Sequence, residues 1–151
     1  MRSGNKESTT GVVHSSDMLQ WNSSYEVGNR FIDSEHKILF EIANEFGTNE
    51  IDSLAKFKET YLELIQYTNL HFMNEELLMK DIGFAGAPTH SLSHRRILDE
   101  MRELVGHPSS LEELKSKLGN CLQHWITGHI LREDMGYRPA YTEWKRKRLG
   151  L

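Results

Sequence analysis

The sequence predicts an all-α protein, an up-and-down four-helix bundle with an extended segment before it and a short segment after it. Four stretches carry apolar residues at the three- and four-residue spacing of a helix face. Helix breakers separate them: Gly47, then Gly83, Gly86 and Pro88, then Gly106 and Pro108, with Gly136 and Pro139 after the last. Connections this short make successive helices pack antiparallel around one core. Histidines and carboxylates also fall inside the apolar stripes, where each needs a partner.

At 151 residues the chain has the size of one domain. Residues 1–20 are rich in Ser, Thr and Gly without a sustained period and are expected to form a mobile tail, in which His14 is a solvated residue. Residues 21–138 form the expected bundle and residues 139–151 a basic C-terminal segment. A 38% hydrophobic and 26% charged composition with a net charge of −4 gives no nucleic-acid or membrane surface. No run approaches the roughly 18 apolar residues of a membrane span, no apolar stretch follows Arg2 and Lys6 as in a signal peptide, and the single Cys121 has no internal disulfide partner. A cytoplasmic location is therefore the expectation.

Trp21 and Tyr25 are expected to anchor a leading segment across the bundle end. The first helix begins at the cap residue Asn29 and runs to about Phe46, with Ile32, His36, Leu39, Ala43 and Phe46 on one face and Phe40 beside them. His36 thus lies in an apolar stripe, either as a hydrogen-bonded core residue or as a ligand. The second helix, from about Ser53 to Ile82, aligns Leu54, Phe57, Tyr61, Leu64, Thr68, His71, Glu75, Leu78 and Ile82. Burying Glu75 unpaired would cost several kcal/mol, a cost that a cation removes.

The third helix follows Pro88, a residue suited to a first helical turn, and reaches about Val105 with His90, His94, Ile97, Met101 and Leu104 inward. Ser110 and Glu113 make a capping box for the fourth. Its inner face carries Leu111, Leu114, Leu118, Leu122, Trp125 or Ile126, and His129, and it ends near Met135. Asp134 lies five residues beyond His129, out of phase with the four-residue step of an α-helix, so a loosened helix end is needed to bring it inward. His107 in a turn and His124 beside Trp125 are expected to face outward, Cys121 to be a small buried residue, and Gly128 to permit close helix contact. The run Lys145 to Arg148 is a solvated tail or short packing helix rather than a nucleic-acid patch.

The bundle would therefore gather His36, His71, Glu75, His90, His94, His129 and Asp134, five imidazoles and two carboxylates. A carboxylate can bridge two metals while an imidazole serves one, so this set suits a dinuclear centre. With both carboxylates and one solvent oxygen bridging, three histidines complete six-coordination at one metal. Two leave the other five-coordinate, with a position for a small ligand. Imidazole with carboxylate suits iron, zinc or manganese.

The pattern His36, His71-x-x-x-Glu75, His90-x-x-x-His94, His129-x-x-x-x-Asp134, with IDSEHK around the first ligand and HWITGHI around the last histidine, resembles the hemerythrin family, in particular its bacterial members. The likeness runs from about Trp21 to Tyr137. It implies two iron ions, cycling between Fe2+ and Fe3+ and bridged by hydroxide or oxide, that bind O2 reversibly. His90, His94 and His129 would hold one iron, His36 and His71 the iron with the open position, and Glu75 and Asp134 would bridge. Leu39, Phe72, Trp125, Ile126 and Ile130 would wall an apolar O2 pocket.

Dioxygen carriage, storage or delivery is the leading expectation, without enzymatic activity. An O2- or redox-sensing module, read by a protein partner or a fused signalling domain, is the alternative. A peroxidase, nitric-oxide reductase or oxygenase ranks below both, because di-iron oxygenase bundles typically use four carboxylates and two histidines.

Overall fold

The computed structural model describes residues 19–107 and 109–150. Of the mobile tail expected for residues 1–20, residues 1–18 with His14 lie outside the described residues, as does the stop expected at Pro108, while Leu19 corrects the expectation at the tail's end. Leu19 is half-buried and tied to α1 by two hydrogen bonds: its N–H donates to Asn44 Oδ1 at 2.9 Å, and Asn44 Nδ2 donates to its carbonyl at 2.8 Å. A short 3₁₀ turn, Ser23–Tyr25, follows.

Four long helices form the bundle, α1 (Arg30–Glu45), α2 (Leu54–Asp81), α3 (Ala87–Val105) and α4 (Leu111–Trp125), and α4 continues into a π-helical segment (Ile126–Glu133). Each packs on the next and α4 returns to α1, as in an up-and-down bundle. Their ends follow the expected capping chemistry. Asn29 accepts from the N–H groups of Phe31 and Ile32, Ser53 from that of Lys56 and Ser110 from that of Glu113. At the end of α2, Gly83 adopts φ +65° while its N–H reaches Lys80 O and the Phe84 N–H reaches Met79 O, the glycine-dependent Schellman closure.

At the C-terminal end the expected stop needs correction. Gly136 and Pro139 do not end the helical course: a 3₁₀ turn (Asp134–Tyr137) leads into α5 (Arg138–Arg148). Pro139 lies in the first turn of α5, where a backbone N–H has no intrahelical acceptor, so the proline costs no hydrogen bond. Tyr141 is buried from this helix and Trp144 packs beside it.

The core divides in two along the bundle. The larger cluster includes Leu39, Phe57, Leu64, Phe72, Met101, Leu118, Leu122, Trp125, Ile126 and Ile130; the smaller holds Val27, Ile32, Met79, Tyr137 and Tyr141. On α1, His36 falls between Ile32 of the small cluster and Leu39 of the large one, and on α2 His71 and Glu75 fall between Leu64 and Met79. The polar stripe residues thus form a layer at the seam between two apolar volumes. Among the described residues no helix is long and apolar enough to cross a membrane.

Candidate metal centre

Residues four apart on α2 and α3 share a helix face, so His71 with Glu75 and His90 with His94 point inward together. His36 comes from α1. His129 and Asp134 span the end of the π segment, where the Asp134 N–H donates to the His129 carbonyl five residues back. A π turn holds one residue more than an α turn, so the five-residue step does here what a four-residue step does in α2 and α3. Asp134 is therefore directed inward by helix geometry and not by a frayed end. Thr127 supports the widening: its hydroxyl donates to the Gln123 carbonyl at 2.8 Å, competing with the regular backbone ladder.

All seven predicted residues come together, and all are buried. They form two overlapping groups whose donor atoms lie within 4.8 Å of one another: Glu75, His90, His94, His129 and Asp134 in one, His36, His71, Glu75 and Asp134 in the other. The carboxylates divide their oxygens between the groups. Glu75 Oε1 lies 2.8 Å from His90 Nε2 and 2.9 Å from His94 Nε2, while Oε2 lies 3.4 Å from His36 Nε2 and 3.5 Å from His71 Nε2. Asp134 Oδ1 lies 2.8 Å from His90 Nε2 and 2.9 Å from His129 Nε2, while Oδ2 lies 3.0 Å from His36 Nε2.

Several of these atoms are close without being hydrogen-bonded. Nε2 of His36, His71 and His129 and both oxygens of Asp134 are buried with no hydrogen-bond partner. So many unpaired polar atoms are costly in a protein interior, and three nitrogens with two oxygens make a donor set suited to a borderline cation. The residues present therefore fit a two-metal centre.

Without a cation, protons balance the charge. Burial opposes protonation of His36 and His90, but Asp134 and Glu75 outweigh it and push both up to about 9. The same carboxylates push His129 up to about 10 against burial. At His94 burial prevails over Glu75 and the imidazole is lowered. Burial alone would raise Glu75 and Asp134, yet the surrounding imidazoles hold both below the usual carboxylate range.

A second layer of polar residues, absent from the sequence reading, orients the first. Glu35 is buried and its Oε1 lies 3.0 Å from His71 Nδ1, while Asn74 Nδ2 donates to its Oε2 at 2.8 Å. Glu133 Oε2 lies 2.6 Å from His129 Nδ1 and accepts from Ser93 Oγ at 2.6 Å. The buried Tyr137 hydroxyl donates to Glu75 Oε2 at 3.0 Å. Glu133 carried a readable signal, four residues after His129 on a helix. Glu35 and Tyr137 did not: one adjoins a ligand and the other follows a glycine that reads as a stop.

The expected pocket residues Leu39, Phe72, Trp125, Ile126 and Ile130 are buried in the larger cluster, on one side of the polar layer. Phe72 stacks on His94 with ring centres 3.8 Å apart and planes 6° from parallel, and meets Trp125 edge-on at 5.6 Å. His107 and His124 are exposed and away from the cluster, and Cys121 is buried. Gly128 does not serve close packing, because an added Cβ there would meet nothing within 4 Å.

A helical bundle with two overlapping groups of buried imidazoles, joined by two shared carboxylates, belongs to the class of bundle proteins that carry a cation centre in the core. The model of the hemerythrin HHE cation binding domain matches residues 27–141. A bacteriohemerythrin of Clostridium acetobutylicum is 32% identical over 127 residues, covering 80% of this chain and 98% of the relative. One of Pseudomonas aeruginosa is 29% identical over 123 residues, covering 81% and 80%. A hemerythrin-like protein of Naegleria gruberi is 26% identical over 120 residues, covering 80% and 91%. The chain belongs to the hemerythrin family.

Proposed function

We propose that the chain binds dioxygen reversibly at a pair of iron ions, for carriage, storage or delivery, and acts as no enzyme. The observation that carries this reading is the division of Glu75 and Asp134, each with one oxygen toward the group of His90, His94 and His129 and the other toward the group of His36 and His71. In this reading His90, His94 and His129 would hold one iron, His36 and His71 would hold the other, and Glu75 and Asp134 would serve both. When bound, the iron pair would supply the two electrons that dioxygen takes up on binding. With two imidazoles against three on the other side, the His36 and His71 side would be the one that leaves room for a small ligand.

The protein's own contribution is to orient, to exclude water and to hold charge. Glu35 fixes the His71 ring through Nδ1, leaving Nε2 inward. The Tyr137 hydroxyl holds Glu75 by donating to its Oε2. Leu39, Phe72, Trp125, Ile126 and Ile130 present an apolar wall that keeps water and protons away from the ligand, which favours release of O2 over oxidation of the iron. A cytoplasmic location accords with this role and is proposed with it.

A regulatory reading has one observation in its favour. Trp21, in the leading segment, lies 6.3 Å from the His36 ring and 5.3 Å from Phe40, so a change at His36 reaches a segment outside the bundle. One experiment separates the readings: a visible spectrum and iron content of the reduced, iron-loaded chain, recorded without oxygen, in air and after deoxygenation. Two irons per chain with a charge-transfer band that comes and goes with O2 is the expected result. A band that appears once and decays to a stable oxidised spectrum favours sensing, and failure to retain iron defeats the proposal.

A further inference from the structure

His129 has a carboxylate oxygen within hydrogen-bond distance of each ring nitrogen, from consecutive residues, whereas at His94 the consecutive Glu75 and Glu76 stand 2.9 and 3.8 Å from the two nitrogens. Asp134 Oδ1 is 2.9 Å from Nε2 and Glu133 Oε2 is 2.6 Å from Nδ1. The π turn makes this possible, since it directs the fifth residue inward while the fourth remains along the outer edge of the ring. Ser93 closes the arrangement. Its hydroxyl donates to the same Glu133 oxygen at 2.6 Å and lies 3.1 Å from His129 Nδ1. Ser93 sits between His90 and His94 on α3, so this contact joins the helix carrying two imidazoles of the group to the segment carrying the third.

We infer that Glu133 and Ser93 form a positioning pair that fixes the His129 tautomer, Nδ1–H outward to Glu133 and Nε2 inward, and strengthens His129 as a donor to the metal it shares with His90 and His94. A carboxylate on the far nitrogen of an imidazole raises the basicity of the near one, and such partners are worth about 10–100-fold in metal affinity. The pair also makes the two halves of the centre unlike. His71 is backed by Glu35, which is buried and held by Asn74, whereas the Glu133 side chain is 48% exposed. The carboxylate that tunes the three-histidine metal therefore stands at the surface, and the one that tunes the two-histidine metal does not.

The inference rests on the reading that His90, His94 and His129 hold a metal, and its test keeps the two apart. The full chain and its Glu133→Ala, Glu133→Gln and Ser93→Ala variants are loaded with zinc and titrated with a chelator, and the midpoint potential of the iron-loaded forms is measured. Glu133→Ala is expected to weaken metal retention about 10–100-fold and to raise the potential, because less electron density reaches the metal. Glu133→Gln keeps an acceptor oxygen without the charge, so its metal retention stays nearer the parent while its potential rises. Ser93→Ala falls between the parent and Glu133→Ala in retention. Unchanged retention and potential in all three variants overturn the inference, even where the metal-free variants melt lower, since the contacts would then be structural only. A parent chain that takes up neither metal overturns the reading of the centre itself.

Discussion

Glu75 turns Oε1 to His90 and His94 and Oε2 to His36 and His71, so its truncation removes a donor from both groups at once. Glu75→Ala and Asp134→Ala are each expected to leave a helical chain that retains fewer than two metal ions, measured by metal content after gel filtration with far-ultraviolet circular dichroism as the control for folding. Both variants keeping two ions with parental affinity would mean that the carboxylates do not bridge. His36, His71, Glu75, His90, His94 and His129 were legible in the sequence because helical spacing placed them on stripes otherwise apolar, where a charged or imidazole side chain stands out. The residues that orient them were not. Glu35 lies one residue before His36, about 100° around the helix, a position that reads as a solvated flank until α2 is seen to bring His71 Nδ1 to 3.0 Å from it. Ser93 likewise gains its meaning only from the approach of Glu133.

At the scale of the elements, two glycines are predicted to respond in opposite directions. Gly128 lies inside the π segment with open space where a Cβ would stand, so Gly128→Ala reduces the freedom of the unfolded chain without a clash. It is expected to stabilise the protein by about 0.5–1 kcal/mol, a rise of roughly 1–4 °C in melting temperature. Gly83 also has open space, but its φ of +65° is the conformation that an L side chain resists, and Gly83→Ala is expected to lower stability by about 1–2 kcal/mol. A higher melting temperature for Gly83→Ala would show that the Schellman closure is not what ends α2. Apolar periodicity and caps made the four helices readable, whereas the π turn left only an indirect trace. The awkward five-residue step from His129 to Asp134 is that trace, and it signals a wider turn once Asp134 is required to face inward. The α5 helix was obscured because Gly136 and Pro139 look like a stop, and Lys145 to Arg148 like a solvated run. Its buried anchor, Tyr141, has only Trp144 three residues on as an apolar partner, a stripe too short to read as a helix beside the basic run.

For the whole molecule, the layer of imidazoles and carboxylates between two apolar clusters makes stability depend on what neutralises it. In the metal-free chain His36 and His90 are pushed up to about 9 and His129 to about 10, above the ordinary imidazole value of 6.5. Between those values the folded state holds more protons than the unfolded one, so stability falls as pH rises through that window. The buried carboxylates act at the other end. Glu75 and Asp134 are lowered, so their contribution is present above the ordinary carboxylate range and is lost as pH falls below it. His94, lowered instead of raised, takes a smaller part of stability away on acidification below its ordinary value. The metal-free protein should therefore be most stable between about pH 5 and 6.5 and melt at a lower temperature at pH 9.5 than at pH 6. Metal reverses the alkaline limb, because a cation replaces the protons and its apparent affinity grows as the imidazoles lose them. The loaded protein should then melt no lower at pH 9.5 than at pH 6, and loading near neutral pH should release protons measurable in a weakly buffered solution. A metal-free chain whose melting temperature rises from pH 6 to 9.5 would show that the imidazoles are neutral in the folded state, and that the carboxylates of the layer are balanced in some other way.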